Sequence, residues 1–314
     1  MRLSGTLLLI VFLLLNCPGA LFSQVLAKPY ENSRFDTVDS VSFHYRVWNE
    51  DLIHPKGKVI LIHGFCGSTF CWRYNYDTLV AAQYKVIAID LPGFGYSGRD
   101  AKLNQSQSNR GRLIWALLGK IDGSDTTKWN IVGHSMGGGT AEALALMKPD
   151  RTQSLTILDG MIFIQNNNVN LRVVGLVNQP LYKKMILSYT EHRYLSFNNF
   201  RRQLKGTYGF LPDTLTTNGY WHPLQIEGTA ETVVNLIANS NEIQDLDAHG
   251  LKQFPVLVIW GKKDRTIRLK NGKKLKRVVP SIELSVIPDA RHMAMETHPV
   301  IFNTMLIEFL DRYN

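Results

Sequence analysis

One serine stands among four glycines in residues 131–141, IVGHSMGGGTA. The apolar run before it, residues 129–132, is typical of a strand, and residues 140–147 are typical of a helix. Glycine weakens both strands and helices, so glycines at this junction need a geometric reason. A very sharp turn supplies one, because it crowds the residues two before and two after the serine. Those residues are Gly133 and Gly137, which carry no Cβ atom.

This G-x-S-x-G pattern predicts a tight turn that lifts Ser135 clear of a sheet, with the start of a helix directing partial positive charge towards it. The pattern alone is only moderately specific, since a glycine-rich turn between a strand and a helix can also bind a nucleotide. Here no G-x-G-x-x-G follows the first strand and no P-loop lysine is present, which disfavours a nucleotide site.

A serine hydroxyl is a weak nucleophile at neutral pH and needs a base that a carboxylate orients. Asp264 follows the apolar run 254–260, and His292 follows the run 284–287. The carboxyl ends of parallel strands meet at one edge of a sheet, where ligands bind in open α/β folds. The sequence therefore predicts a catalytic triad of Ser135, Asp264 and His292.

Three other residues compete for these roles. Asp159 also lies at the end of a predicted strand and is the alternative acid. Asp289 is too close in sequence to His292 to orient the far side of its ring. His298 stands beside Pro299 at a predicted helix start, where capping or solvent exposure is the expected role.

Donors for the negative charge that develops on a substrate oxygen are predicted at two places. The first is the backbone N–H of Met136, directly after the serine. The second is the backbone N–H of Phe65, in the loop after the predicted strand 58–62. Gly64 lets this loop turn inward and His63 is expected to brace it, although the His-Gly pair could also be purely structural.

Strand-like and helix-like runs alternate along the chain, which predicts a mainly parallel sheet covered by helices. The early run 41–48 alternates with a period of two and predicts an antiparallel strand. Residues 161–253 break this rhythm, being polar and rich in Asn and aromatic side chains, and predict an insertion over the carboxyl edge of the sheet. The remaining predicted strands are 85–89, 129–132, 155–158 and 282–287, and the predicted helices are 113–118, 140–147, 181–189, 229–237 and 300–310.

Five segments resemble the α/β-hydrolase superfamily in order and spacing: HGFCGSTFCW, DLPGFGYSG, GHSMGG, WGKKD and ARHMAMETHP. The resemblance is to its lipase, esterase, haloperoxidase-like and carbon–carbon hydrolase branch. It implies an α/β-hydrolase fold, a mostly parallel central sheet with helices on both faces. It implies a core at residues 28–160 and 254–314 with a helical cap, or lid, at 161–253. It also implies oxyanion-hole amides at Phe65 and Met136, and neither cofactor nor metal.

The activity implied is that of a serine hydrolase, which cleaves a small-molecule carboxylic ester or related acyl substrate through an acyl-enzyme. Two alternatives stay open: a carbon–carbon bond hydrolase of the same fold, and a non-catalytic receptor on this scaffold. Haloalkane dehalogenases and epoxide hydrolases also resemble the chain, but they place Asp where Ser135 stands. One departure concerns Arg291, since relatives usually carry Gly directly before the catalytic histidine.

The first 27 residues predict a signal peptide, because Arg2 precedes an uncharged apolar run and Val25-Leu26-Ala27 fits a cleavage site. Ser23 is a second candidate cleavage site. The protein is therefore expected to be exported, either to the periplasm or as a secreted protein. The segment could instead remain as a membrane anchor. The run ending at Cys17 weakly resembles a lipoprotein box, with Asn16 where a small residue is expected.

Export implies an oxidising compartment, in which Cys66 and Cys71 could form a disulfide or remain two buried thiols. Apolar residues make up 45% and charged residues 19% of the 314-residue chain, which excludes a disordered protein. The formal net charge is +9, and much of it comes from residues 262–277. This run is expected to be a solvated face or to contact an anionic membrane or surface. It lacks interleaved aromatic residues, which disfavours nucleic-acid binding.

Overall fold

A single eight-stranded sheet is the framework of the protein. The computed structural model describes residues 28–123, 126–162, 179–238 and 247–314. The strands are β1 (Ser33–Val38), β2 (Val41–Trp48), β3 (Gly57–Ile62), β4 (Tyr84–Ile89), β5 (Trp129–His134), β6 (Thr152–Leu158), β7 (Val256–Gly261) and β8 (Glu283–Ile287).

The strand order across the sheet is β1-β2-β4-β3-β5-β6-β7-β8. Strand β2 pairs antiparallel with both β1 and β4, and every pair from β4 across to β8 is parallel. The predicted, mostly parallel sheet is therefore confirmed. The parallel arrangement brings the carboxyl ends of β3, β5, β7 and β8 to the same edge.

Helices connect the strands and follow the last of them. Those before β6 are α1 (Tyr76–Ala81), α2 (Gln107–Asp122) and α3 (Met136–Met147). Between β6 and β7 lie α4 (Pro180–Tyr189), α5 (Phe197–Tyr208), α6 (Thr214–Leu224) and α7 (Thr229–Ala238). The remaining helices are α8 (Lys270–Val278), α9 (Ala294–Thr297) and α10 (Pro299–Tyr313).

The core lies on both faces of the central strands. Every residue of β5 is buried, as are the last four residues of β3 and of β4. These are the continuous apolar, β-branched runs that predicted buried parallel strands. Burial of each large aliphatic side chain, such as Ile60 or Ile131, contributes roughly 1.5–3 kcal/mol. The carboxyl ends of β3, β4 and β5 are thus anchored in the buried core.

Helices α4 to α7 are referred to below as the cap helices. They lie in the stretch for which the sequence predicted a cap at residues 161–253, and they include both helices predicted there. Residues 163–178 and 239–246 of that stretch fall outside the described residues. The cap boundaries at 161 and 253 therefore stay a prediction.

The N-terminal prediction concerns residues outside the described ranges. Residues 1–27 fall there, so the leader, the membrane anchor and the lipoprotein site stay predictions. Residues Asn32–Asn314 form one compact unit, and only residues 28–31 are described from the rest of the chain. No helix within the described ranges is long and apolar enough to cross a bilayer.

The basic run 262–277 includes helix α8, which buries Gly272 and Leu275 and exposes most of its charged side chains. This is the solvated face that the sequence predicted. Contact with an anionic surface stays a prediction.

Candidate active site

Ser135 occupies a strained turn between β5 and α3, with φ 54° and ψ −120°. A Cβ atom at Gly133 would lie 2.2 Å from the Gly137 carbonyl oxygen. A Cβ atom at Gly137 would lie 2.3 Å from the His63 carbonyl oxygen. Both contacts are with backbone atoms, which cannot move aside cheaply, so glycine is required at both positions. The predicted crowding around Ser135 is thus present.

His292 follows β8 and faces Ser135. Its Nε2 atom lies 2.9 Å from Ser135 Oγ, and its Nδ1 atom lies 2.8 Å from Asp264 Oδ2. The carboxylate accepts the Nδ1 proton, which leaves Nε2 free to accept the proton of the serine hydroxyl. The structure therefore brings together the three side chains that the sequence predicted as a triad.

Asp264 follows β7, and its orientation is set locally. Its Oδ1 atom accepts hydrogen bonds from the backbone N–H groups of Thr266, at 2.7 Å, and Ile267, at 3.2 Å. These two bonds hold the carboxylate so that Oδ2 faces the imidazole. The side chain of Asp264 is fully buried in this arrangement.

The competing residues lie elsewhere. Asp289 is exposed and pairs with Lys263 at 2.6 Å. The Nδ1 atom of His298 lies 2.9 Å from the hydroxyl of Thr297, at the start of α10. Asp159 is buried near Asp264, and its Oδ1 atom accepts a hydrogen bond from the N–H of Gly261 at 2.8 Å. None of the three makes a hydrogen bond to His292 among the described residues.

A further contact to His292, from His134, was not predicted from the sequence. The Nε2–H of His134 donates to the His292 carbonyl oxygen at 2.8 Å, and the two rings lie 4.8 Å apart. Burial, followed by the charge of His292, lowers the pKa of His134 well below its usual value, so this ring is neutral. The only hint in the sequence is its position directly before Ser135.

The loop after β3 lies next to the serine turn. A Cβ atom at Gly64 would lie 2.9 Å from the Ser135 Cβ atom, so this close approach requires glycine. His63 accepts the N–H of Leu91 on Nε2, at 2.9 Å, and donates from Nδ1 to the Gly64 carbonyl oxygen, at 2.7 Å. Burial lowers the pKa of His63, consistent with one donor and one acceptor nitrogen. His63 thus braces the loop.

The backbone N–H groups of Phe65 and Met136 have no acceptor among the described residues. Met136 is the first residue of α3, where the N–H groups of a helix lack partners within the helix. Both amides are therefore available to a bound oxygen atom.

A cavity of about 220 Å³ adjoins Ser135 and His292. The residues lining it that are described in the structure include no Asp, Glu, Lys or Arg. Among the aromatic residues of the cap, Tyr220 lines the cavity, whereas Phe210 is exposed to solvent. The lining residues from the cap are Tyr194, Phe200, Gln203, Leu204, Thr207 and Tyr220.

Cys66 and Cys71 also line the cavity, and both are free, buried thiols. The structure therefore agrees with the second of the two predicted states of these cysteines. Burial raises the pKa of both thiols, so neither is a thiolate at neutral pH.

A family model for the α/β hydrolase fold matches residues 58–299. The chain belongs to the α/β-hydrolase family. A 2-hydroxy-6-oxononadienedioate/2-hydroxy-6-oxononatrienedioate hydrolase from Cupriavidus pinatubonensis is 28% identical over 291 residues, which cover 88% of this chain and 95% of that protein. A protein of the same name from Paraburkholderia phymatum is 30% identical over 271 residues, covering 84% of this chain and 91% of its own.

A solved structure of a serine hydrolase involved in carbazole degradation matches this α/β hydrolase with a TM-score of 0.69 and 22% identity. The match covers 89% of this chain and 98% of that protein. At this identity the likeness concerns the fold. It agrees with the eight-stranded sheet described above.

This α/β hydrolase contains a second Ser-His-Asp arrangement, which, unlike the first, does not adjoin the cavity. His44 lies 2.7 Å from Ser33 Oγ and 2.6 Å from Asp90 Oδ2, and all three residues are completely buried. Asp90 also accepts the N–H groups of Thr69 and Tyr96. These bonds tie loops to the antiparallel edge of the sheet. Ser33 sits in a regular strand, away from the residues that line the cavity, so we assign this group a structural role.

Proposed function

We propose that this protein is an exported serine hydrolase that cleaves a carboxylic ester or related acyl substrate. The observation that carries the proposal is the Ser135–His292–Asp264 relay, with distances of 2.9 and 2.8 Å, at the wall of an apolar cavity. Nucleophile, base and orienting carboxylate are each within hydrogen-bonding distance of the next. This is the geometry that nucleophilic catalysis by serine needs.

In the first half of the reaction, Ser135 Oγ attacks the carbonyl carbon while its proton passes to His292 Nε2. The tetrahedral intermediate collapses as His292 returns that proton to the departing alkoxide, which leaves as an alcohol. The acyl group is then bound to Ser135. Asp264 stabilises the imidazolium that forms in between and keeps the ring in the productive tautomer.

In the second half, water attacks the acyl carbon and gives its proton to His292. The carboxylic acid departs when Ser135 Oγ takes that proton back. In both halves negative charge develops on the former carbonyl oxygen. The N–H groups of Phe65 and Met136, which have no acceptor in the described part of the chain, are the proposed donors to it. Preorganised donors of this kind contribute roughly 3–4 kcal/mol each.

The lining of the cavity favours a substrate with an uncharged acyl group. A carboxylate placed in the cavity would find no Lys or Arg among the lining residues that the structure describes. An unpaired charge in an apolar site costs several kcal/mol. The curated relatives act on dienedioates by name, and these carry two carboxylates. The ester hydrolase is therefore our first proposal, and carbon–carbon hydrolysis, which those names favour, is the second.

The test is labelling of the mature protein by a fluorophosphonate probe, with Ser135→Ala as the variant and Ser33→Ala as a matched serine control. We expect labelling of wild type and Ser33→Ala but none of Ser135→Ala. Labelling of Ser135→Ala would assign the nucleophile to another residue. Absence of labelling in wild type would favour a binding protein.

Substrate class is tested by turnover. We expect hydrolysis of p-nitrophenyl esters of uncharged acids, with kcat/KM at least about 10³-fold lower in Ser135→Ala. Hydrolysis of a 2-hydroxy-6-oxodienedioate with no ester turnover would establish the carbon–carbon reaction instead. Ligand binding that Ser135→Ala leaves unchanged, with no turnover of either class, would support a receptor.

A further inference from the structure

A completely buried carboxylate, Glu296, lies four residues after His292 and has three side-chain partners. Its Oε2 atom accepts the hydroxyl of Tyr208 at 2.5 Å and pairs with Arg73 Nη2 at 2.5 Å. Its Oε1 atom accepts the hydroxyl of Tyr220. We call Glu296, Arg73, Tyr208 and Tyr220 the Glu296 cluster.

Glu296 joins its own segment to three other parts of the chain. Arg73 directly follows the short helical turn Thr69–Trp72, in the segment that begins with the loop after β3. Tyr208 is the last residue of cap helix α5, and Tyr220 belongs to cap helix α6. One carboxylate in the His292 segment therefore holds two cap helices and the segment after the Phe65 loop.

The end of α5 also meets the residues around His292 directly. The N–H of His292 donates to the Thr207 carbonyl oxygen at 3.1 Å. Arg291 donates from Nη1 to the Gly206 carbonyl oxygen at 3.4 Å. The side chain of Arg291 packs over Gly209, where a Cβ atom would lie 2.9 Å from its Cδ and Nε atoms. Arg291, the departure from the family pattern, thus contacts the cap.

A stabilising role alone accounts poorly for this arrangement. Burial raises the pKa of Glu296, while Arg73 and the two tyrosine hydroxyls oppose that effect. A buried ion pair repays its desolvation only when its geometry is good, and replacing it with apolar side chains often leaves a protein equally stable. Its best-supported effect is to fix one arrangement of the groups that it joins.

We propose that the Glu296 cluster is a positioning device that holds His292 against Ser135 through the last turn of α5. The inference rests on the proposed function, because it assumes that His292 is the base. Thr207 and Tyr220 line the cavity, so the same residues that meet the acyl group also fix the histidine. Glu296, Arg73 and Tyr208 are not among the described residues that line the cavity, so these three act through His292.

The test compares Tyr208→Phe with Tyr182→Phe, a matched loss of one hydroxyl from a cap tyrosine that is 44% exposed on α4. Turnover of a short-chain p-nitrophenyl ester, thermal unfolding and hydrogen exchange of the His292 amide are measured on the full chain. For Tyr208→Phe we expect kcat to fall by about 10- to 100-fold with KM within about threefold, since small misplacements of catalytic groups have effects of this size.

We also expect the amide hydrogen of His292 to exchange faster in Tyr208→Phe, because its acceptor, the Thr207 carbonyl oxygen, belongs to the turn that Tyr208 anchors. Tyr182→Phe should behave as wild type in all three measurements. Tyr220→Phe provides the same comparison through the other oxygen of Glu296 if Tyr208→Phe does not fold. Wild-type kcat and amide exchange in a folded Tyr208→Phe or Tyr220→Phe would overturn the proposal. A loss of activity that matches the loss of folded protein would overturn it too. Retention of activity in Ser135→Ala would instead overturn the proposed function.

Discussion

Asp159 lies beside Asp264, and the two carboxyl groups have different tasks. Burial, and then the negative charge of Asp264, raises the pKa of Asp159 well above its ordinary value. The folded protein therefore favours the protonated, neutral form of Asp159, whose Oδ1 atom accepts the N–H of Gly261. Asp264 is the residue whose oxygen faces His292. The pair supports Asp264 as the orienting acid.

Asp159→Asn is expected to keep kcat/KM within a few-fold of wild type and to change the pH dependence of stability. The folded protein keeps the proton of Asp159, whereas the unfolded chain releases it above its ordinary pKa of 3.8. Wild type therefore loses free energy of unfolding as the pH rises from there towards the folded-state pKa, by up to about 1.4 kcal/mol per pH unit. Asn cannot titrate, so the variant should gain free energy of unfolding relative to wild type as the pH rises above 3.8, as measured by urea unfolding. Inactivity as complete as that of Ser135→Ala would make Asp159 the acid.

Asp264→Asn is expected to lower kcat by roughly 10³- to 10⁴-fold, because the amide no longer holds the imidazole in the required tautomer or stabilises its charged form. Asp289→Asn is the control, since it changes an exposed aspartate of the neighbouring loop that pairs with Lys263. Steady-state kinetics on one ester measures both variants. Equal activities in the two variants would show that Asp264 is not the carboxylate that orients His292.

Gly137→Ala is expected to lower the free energy of unfolding by about 2–4 kcal/mol, since the added methyl group would press on backbone oxygens of His63 and Ile62. Gly206→Ala is the control, because a Cβ atom there meets nothing within 4 Å. In the α5 helix that change should stabilise by roughly 0.5–1 kcal/mol. Denaturant unfolding measures both variants. An unchanged free energy of unfolding in Gly137→Ala would argue against the tight turn.

The preference for acyl chain length should follow the size of the cavity. Each methylene group that becomes buried contributes about 0.8 kcal/mol, or about fourfold in kcat/KM, until the cavity is full. Phe200→Ala enlarges the cavity and should move the optimum to longer chains, whereas the exposed Phe210→Ala should not. A p-nitrophenyl ester series measures both. An unchanged optimum in Phe200→Ala would place the acyl group elsewhere.

Cys66 and Cys71 should react with a thiol reagent far more slowly in the folded protein than after unfolding, because both are buried and protonated, although both line the cavity. After unfolding without reductant, two thiols should react if the leader with Cys17 has been removed, and three if it is retained. Thiol titration therefore also reports on the leader. A disulfide would leave neither Cys66 nor Cys71 reactive.

Much of the sheet could be predicted because buried parallel strands leave continuous apolar runs. Strand β1 could not, since Asp36 and Thr37 interrupt its pattern and Phe35 is exposed at the edge of the sheet. Helix α8 could not be predicted either, because it is mostly charged and its apolar face consists of little more than Leu275. Both elements depend on neighbours that local periodicity does not reveal.

The candidate site follows a similar division. Ser135, Asp264 and His292 could be located because each lies in the turn or loop after a strand whose carboxyl end is at the same edge of the sheet. The bonds of Tyr208 and Tyr220 to Glu296 could not be anticipated, because they join residues 88 and 76 positions apart. Their partners are set by how the cap packs, and no spacing rule describes that packing.

The hydrogen bond from the His292 amide to Thr207 has a consequence for engineering this enzyme. A lid transplanted from another hydrolase would have to supply the carbonyl group to which the N–H of His292 donates. A chimaera that kept the native turn 206–209 and replaced only the remainder should therefore alter selectivity while preserving turnover.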